Sequence, residues 1–148
     1  MVRHPDLRAL GLIAAALLAP GAATAASLRV VGDGAPDRLT TAPADPGRGR
    51  AAVFDPDRGN CLLCHALPGA PAVAAGTLGP PLAGAGARFS AAQLRLRVAD
   101  PRRINANRVM PPYFKVDGLT RVDPRWRGRP VLSAQEVEDV VAYLETLK

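Results

Sequence analysis

Aromatic residues and long apolar runs are scarce in this chain of 148 residues. One Trp, two Tyr and three Phe make a weak hydrophobic core for a domain of this size. The longest apolar run, Leu10 to Ala19, has ten residues, whereas a membrane-spanning helix needs about 20. The sequence therefore predicts no membrane span, and its length leaves room for a single domain.

Met1 to Ala25 resembles a secretory signal peptide. Arg3 and Arg8 precede the apolar run, and the small residues Ala23-Thr24-Ala25 follow it. A buried first helix is the alternative, but the run has neither a capping residue nor a polar face. We therefore expect cleavage after Ala25 and export of the mature chain to the periplasm.

The mature chain is predicted to be all-α, with an extended lead-in over residues 26–44 and one folded domain over residues 45–148. The lead-in is rich in Gly, Pro, Ala and Thr without periodicity, which is typical of irregular chain and suits a segment that lies against a neighbour. In the domain, Asp45-Pro46 is predicted to start a helix that ends at Phe54. A long loop is expected from Pro68 to Leu82, where Gly and Pro are frequent.

Two further helices are predicted from capping boxes. Ser90 with Gln93 begins one, which Asp100-Pro101 ends, and Ser133 with Glu136 begins the other. The last helix is amphipathic, and its apolar stripe is expected to pack against the first helix. The stripe consists of Val137, Val140, Val141, Leu144 and Leu147.

Cysteine, histidine and methionine residues are also few, and most of them lie close together in the sequence. Without the leader the chain keeps one histidine, His65, and one methionine, Met110, beside its two cysteines. Cys61, Cys64 and His65 form C-x-x-C-H, the signature of covalent haem attachment through two thioether bonds. We expect the motif to lie on a helix that follows the break at Asp55 to Gly59. On a helix these positions share one face, so both sulfurs reach the porphyrin edge while the imidazole reaches the iron. The motif predicts one haem c, with His65 as the proximal iron ligand.

Three other interpretations of the motif have less support. A thioredoxin-like dithiol needs a βαβ surround, and the chain has no strong strand patterns. A zinc site needs four ligands as a rule, whereas the mature chain offers two Cys and one His. A plain disulfide, common in exported proteins, leaves His65 without a role.

Met110 is the candidate for the sixth iron ligand. It is the only thioether of the mature chain, and Pro111-Pro112 stiffens the backbone beside it. A core gap-filling role is the alternative for Met110, and Tyr113 and Lys115 are fallback donors. A thioether opposite an imidazole raises the reduction potential and leaves no open site, which favours electron transfer over oxygen binding. A ligand-binding haem sensor requires Met110 to dissociate.

Pro80 is a candidate partner of His65. Ligating histidines need an acceptor for the second ring N–H, commonly a backbone carbonyl. The Gly79-Pro80-Pro81-Leu82 stretch supplies such a carbonyl, and an ordinary loop is the alternative interpretation.

Positive charge is concentrated late in the chain. Residues 102–129 carry eight basic and two acidic side chains, whereas residues 130–148 carry one and four. Export excludes nucleic acid as a partner, so three interpretations remain: a solvated face, a dock for an acidic redox partner, and counter-charges for the haem propionates. Trp126, between Arg125 and Arg127, is either a core plug or an interface anchor.

The sequence resembles the SoxX family, the monohaem c-type cytochrome subunits of the SoxAX complexes of bacterial sulfur oxidation. The resemblance covers residues 45–148 and lies in six stretches. They are Gly59 to His65, Gly79 to Leu82, Asp100 to Asn105, Val109 to Tyr113, Gly118 to Val122 and Gln135 to Leu144.

The resemblance implies a class I cytochrome c fold wrapped around one haem c. The haem would be attached at Cys61 and Cys64 and ligated by His65 and Met110. In this family SoxX forms a heterodimer with SoxA, whose own haem and modified cysteine carry the chemistry. The complex, an L-cysteine S-thiosulfotransferase, joins thiosulfate to a cysteine of the SoxYZ carrier.

This chain would accept the released electrons, pass them to a downstream cytochrome and hold no catalytic residue itself. The residues alone lead to an exported His/Met electron carrier and not to sulfur. The alternative is therefore a free-standing class I cytochrome c that feeds a terminal oxidase or reductase.

Overall fold

The computed structural model describes residues 27–71 and 74–148, and the predicted signal peptide lies outside them. The described chain contains four α-helices: α1 (Pro46–Phe54), α2 (Ala85–Arg88), α3 (Ala91–Ala99) and α4 (Ala134–Thr146). Three 3-10 turns lie between them, at Cys61–Leu63, Pro101–Arg103 and Pro124–Trp126. No β-strand occurs in these ranges beyond one isolated bridge, so the all-α prediction is confirmed.

Three of the predicted helices are confirmed together with their caps. The Asp45 carboxylate accepts hydrogen bonds from the amides of Gly47 and Arg48 at 2.7 and 3.0 Å, and Pro46 occupies the first turn of α1. Ser90 and Ser133 each form a complete capping box, at the start of α3 and of α4. Local sequence therefore sets where these helices begin.

The core lies where α4 crosses α1 and α3. Four members of the predicted stripe are buried, and the fifth, Leu147, lies half-buried at the C-terminal cap of α4. Gly49 of α1 touches the backbone of Asp139, where a Cβ would overlap the carbonyl oxygen. Glycine at this position thus permits the close approach of α1 and α4.

Residues 31–39 of the lead-in pack against the folded domain. Val31 and Gly34 exchange backbone hydrogen bonds at 2.9 and 3.2 Å, and the Ala35 amide donates to the carbonyl of Ala92 in α3. The Leu39 amide donates to the Glu138 carboxylate at 2.9 Å. Ala35 and Leu39 are both buried, so this segment adds a layer to the core.

Among the described residues, no helix has the length and hydropathy to span a membrane.

Candidate haem-binding site

The C-x-x-C-H motif folds as one 3-10 turn, Cys61–Leu63, which is shorter than the predicted helix. The Cys61 carbonyl accepts from the amides of both Cys64 and His65, at 3.1 and 2.9 Å. Because both amides donate to the same carbonyl, the side chains of Cys61, Cys64 and His65 lie on one side of the turn, as expected for a helix. Asn60 begins the turn in the left-handed region, with φ 45°.

The loop that follows the motif takes over the carbonyls that a longer helix would use. A continued α-helix could not satisfy the Cys64 carbonyl, because Pro68 at the position of its donor has no N–H. The amide of Gly79 donates to this carbonyl instead, at 2.8 Å, and Gly76 donates to the Leu62 carbonyl at 2.9 Å. The loop after the motif is thereby folded back onto the turn.

A cavity of about 440 Å³ lies beside the turn, a size typical of small-molecule sites. All five predicted site residues line it: Cys61, Cys64, His65, Pro80 and Met110. The remaining wall is mostly apolar and includes Leu82, Leu94, Val98, Leu132, Val140 and Leu144. The fold therefore gathers the predicted site residues, although they are up to 49 positions apart, from Cys61 to Met110.

The charged lining of the cavity is exclusively basic among the described residues. Arg88, Arg97 and Arg108 contribute to the wall, and no Asp or Glu does. Arg97 is held by the carbonyls of Gln93 and Asp33, and its guanidinium carbon lies 4.2 Å from the centroid of the Phe89 ring. An apolar cavity with three guanidinium groups suits a flat apolar ring that bears carboxylates.

The imidazole of His65 is held by the loop from Gly79 to Pro80. Its Nδ1 lies 2.7 Å from the Pro80 carbonyl oxygen, an acceptor only, so Nδ1 carries the proton and the Nε2 lone pair is free. Gly79 packs directly against the ring, and a Cβ at this position would overlap it. These two contacts fix the orientation and the tautomer of a group suited to bind iron.

The three candidate sixth ligands differ in position. Met110 is half-buried and lines the cavity. The hydroxyl of Tyr113 donates to the Gly59 carbonyl at 2.7 Å, and the ammonium of Lys115 lies 3.8 Å from the Asp100 carboxylate and outside the cavity lining. The geometry therefore favours Met110 over both fallback donors.

The two cysteines are free thiols in the protein chain. Burial raises the pKa of the Cys61 thiol to about 11, and the neighbouring Cys64 adds to the shift. A thiol oxidoreductase needs a lowered cysteine pKa, because the thiolate is the nucleophile. Within the described ranges, no group of three or more His, Cys, Asp or Glu is placed to hold a metal ion.

Only one basic residue of the segment 102–129 reaches the cavity, namely Arg108. Trp126 lies on the surface, half-buried, with the guanidinium carbons of Arg129 and Arg58 at 5.2 and 5.9 Å from its ring centroid. Arg58 also donates to Glu136 at 2.9 Å. Trp126 thus joins an aromatic and cationic stack near the start of α4 and is no part of the cavity wall.

Sequence reasoning missed several residues that line or shape the site. Arg88, Arg97 and Phe89 follow no motif, and their place on the cavity wall depends on how α2 and α3 pack. Gly79 was singled out only as part of a loop, and its contact with the His65 ring requires the fold. Tyr113 was considered as an iron ligand, whereas its hydroxyl is a hydrogen-bond donor to Gly59.

The comparisons with known proteins show the family and the fold of the chain. The family model described as cytochrome c matches residues 48–148. A solved chain from the crystal structure of SoxXA from P. pantotrophus is 39% identical, with a TM-score of 0.75. The match covers 82% of this chain and 94% of that one. No curated protein sequence matches the chain.

Proposed function

Because the chain belongs to the SoxX family of cytochromes c, the haem electron-transfer subunits of SoxAX complexes, we propose that it accepts the electrons released in thiosulfate oxidation. The observation that carries the proposal is the single cavity lined by Cys61, Cys64, His65 and Met110. The donor set supplies two sulfurs for covalent attachment and an imidazole and a thioether for the iron, as a cytochrome c requires. Family membership implies a covalently bound haem c, and we propose one per chain.

Each site residue has its own task in this proposal. Cys61 and Cys64 would hold the group by thioether bonds, and His65 presents the lone pair of Nε2 because its Nδ1–H donates to the Pro80 carbonyl. Met110, which lines the same cavity, would supply a thioether as the second protein ligand to the iron and keep water away from it. Haem c, when bound, supplies one-electron transfer through its Fe(II) and Fe(III) states.

The arginines and the apolar wall of the cavity would set the electrostatic environment of the haem. Arg88, Arg97 and Arg108 would neutralise the propionates, since the described cavity wall contains no carboxylate of its own. The apolar lining excludes water, which favours the less charged reduced state. The site residues are all assigned to holding the haem and its propionates, so we place the sulfur chemistry on the SoxA partner.

The surface beside the cavity suits docking of that partner. Leu78 and Val109 lie at the cavity and expose 68% and 71% of their surface, and Leu63 in the Cys61 turn exposes 69%. The basic side chains of Arg102 and Arg103 are exposed next to α3. We propose that SoxA covers this surface and that electrons arrive from the SoxYZ-linked reaction and leave to a downstream cytochrome, with the complex in the periplasm after cleavage of residues 1–25.

Purification of a tagged chain from the periplasm of cells that also express SoxA tests this proposal. We expect a red heterodimer whose denatured mass shows one haem attached to this chain. A Cys61→Ser/Cys64→Ser variant expressed alongside is expected to lack the attached haem. A red monomer that leaves SoxA behind would move the function to a free-standing electron carrier, and a colourless chain would refute the haem site.

A further inference from the structure

The segment that carries Met110 is weakly held on its own. Among the described residues, the last backbone hydrogen bond before Met110 is donated by the Arg108 amide to the Asn105 carbonyl at 3.1 Å. The next one along the chain is donated by the Tyr113 amide. Pro111 and Pro112 between them have no N–H to donate. The position of the methionine therefore depends on the residues that anchor the segment at either end.

Tyr113 is the anchor on the C-terminal side and is fixed at three points. Its amide donates to the Val98 carbonyl at the end of α3 at 3.3 Å, and its carbonyl accepts from Leu132 at 3.0 Å. Its hydroxyl donates to the Gly59 carbonyl at 2.7 Å. The side chain lines the cavity and is half-buried. Tyr113 thus links the Met110 segment to the chain that leads into the Cys61 turn.

The acceptor of this hydrogen bond is itself rigid. The Gly59 amide donates to the Ala52 carbonyl of α1 at 3.0 Å. A Cβ at Gly59 would lie 2.6 Å from the Ala52 carbonyl oxygen and 3.3 Å from Cys61 Sγ, so only glycine fits here. Burial raises the pKa of Tyr113 far above its ordinary value, and its hydroxyl remains a donor. The bond therefore joins the segment that carries Met110 to the segment that carries Cys61, Cys64 and His65.

We propose that Tyr113 is a positioning residue whose hydroxyl, bound to the Gly59 carbonyl, holds Met110 in reach of the iron. The inference rests on the proposed ligation by Met110 and adds to it a residue outside the C-x-x-C-H motif. Without the bond, the segment from Arg108 to Tyr113 keeps its packing but loses its side-chain link to the Cys61 side. Met110 then leaves the axial position more often, and an external ligand can take its place.

The Tyr113→Phe variant of the haem-loaded protein tests this role, because it removes one oxygen atom and keeps the ring. Two signals report on Met110: the red absorption band of ferric haem that arises from sulfur bound to iron, and the rate at which carbon monoxide binds the ferrous protein. We expect the carbon monoxide rate to rise by about fivefold, the effect of one ordinary hydrogen bond. Tyr143→Phe, at the only other tyrosine, is the control and is expected to leave both signals unchanged.

A Met110→Ala background separates positioning from general loosening of the fold. With the thioether gone, Tyr113→Phe should add nothing to the rate of carbon monoxide binding, because the hydroxyl acts through Met110. An equal rise in both backgrounds would overturn the proposal, as would a Tyr113→Phe protein with wild-type band and rate. A wild-type protein without the sulfur band would overturn the assignment of Met110 and the role of Tyr113 with it.

Discussion

Arg95 of α3 and Glu138 of α4 form a two-pronged ion pair inside the protein. Nε and Nη2 of the guanidinium donate to the two carboxylate oxygens at 2.7 and 2.8 Å, and the side chains are only 5% and 3% exposed. Glu138 also accepts from the Leu39 amide, and Arg95 donates to the Ala35 carbonyl. The pair thus ties the lead-in to the two helices that line the cavity.

Replacement of Arg95 by methionine is expected to destabilise the protein strongly. The change fills much of the space but removes the bidentate partner of the buried Glu138 carboxylate, which keeps only the Leu39 amide and the Arg38 guanidinium at 3.7 Å. Removal of one partner of a buried ion pair costs up to about 3–5 kcal/mol. Chemical denaturation of the haem-loaded protein measures this loss. The control is Arg29→Met, which removes the similar pair with Asp37 on the surface, where each side chain is 57% exposed, and should change stability far less. Equal losses of stability in the two variants would show that the buried pair contributes no more to stability than the surface pair.

Stability should also fall in acid because of Glu138. Burial opposes its ionisation, but the hydrogen bonds from Arg95 and the Leu39 amide and the nearby guanidinium charges outweigh burial, so its pKa lies below the ordinary 4.5. The unfolded chain therefore binds a proton that the folded protein does not. The stabilisation is complete above the ordinary pKa and is lost as the pH falls through the folded one.

The Glu138→Gln variant tests this pH dependence. We expect it to be less stable than the wild type at neutral pH and to lose less of its melting temperature between neutral pH and pH values below 4.5. Glu145→Gln removes a carboxylate at an exposed position of the same helix and is the control. A Glu138→Gln protein whose melting temperature falls as steeply as that of the wild type would contradict the prediction.

Gly79→Ala is expected to disturb the axial histidine. The added methyl group would overlap the His65 ring, so either the ring leaves the Pro80 carbonyl or the loop shifts. We expect a lower yield of haem-loaded protein and an altered absorption spectrum. Thr77→Ala, at an exposed position of the same loop, should leave both as in the wild type. A normal spectrum and yield for Gly79→Ala would show that this contact is not needed.

Leu63→Asp tests the proposed docking surface without altering the cavity wall. Leu63 is exposed in the Cys61 turn and does not line the cavity. SoxA would bury this apolar side chain, so a charge in its place should weaken SoxA binding by about tenfold or more, while the haem spectrum stays unchanged. Val31→Asp, an exposed apolar position in the lead-in, is the control. Undiminished affinity in a calorimetric titration of Leu63→Asp would place the interface elsewhere.

Local sequence signals predicted the helices well because their causes are local. The two capping boxes and the Asp45-Pro46 start each act within four residues, and the structure shows all three. The helix expected at Cys61 is only a 3-10 turn, because the amides of Gly76 and Gly79 donate to the Leu62 and Cys64 carbonyls in place of helical donors. The roles of Glu138 and Arg95 also escaped prediction, since an amphipathic pattern assigns charged residues to the surface.

The candidate site likewise has residues that local sequence predicts and residues whose roles depend on the fold. The donors Cys61, Cys64, His65 and Met110 follow from a motif and from the scarcity of other donors. Arg88, Arg97 and the Tyr113–Gly59 hydrogen bond depend on residues brought together by packing, up to 54 positions apart in the chain. Sequence thus identifies which groups can hold haem, and the fold shows how they are oriented.

Reduction of the haem by thiosulfate is the decisive test of a role in thiosulfate oxidation. The measurement follows the absorption of this chain's haem in the purified heterodimer with SoxA after thiosulfate and the SoxYZ carrier are added. We expect reduction when partner, thiosulfate and carrier are all present, and none when any of the three is omitted. A haem that stays oxidised in the complete mixture, yet accepts electrons from a chemical reductant, would contradict a role in thiosulfate oxidation.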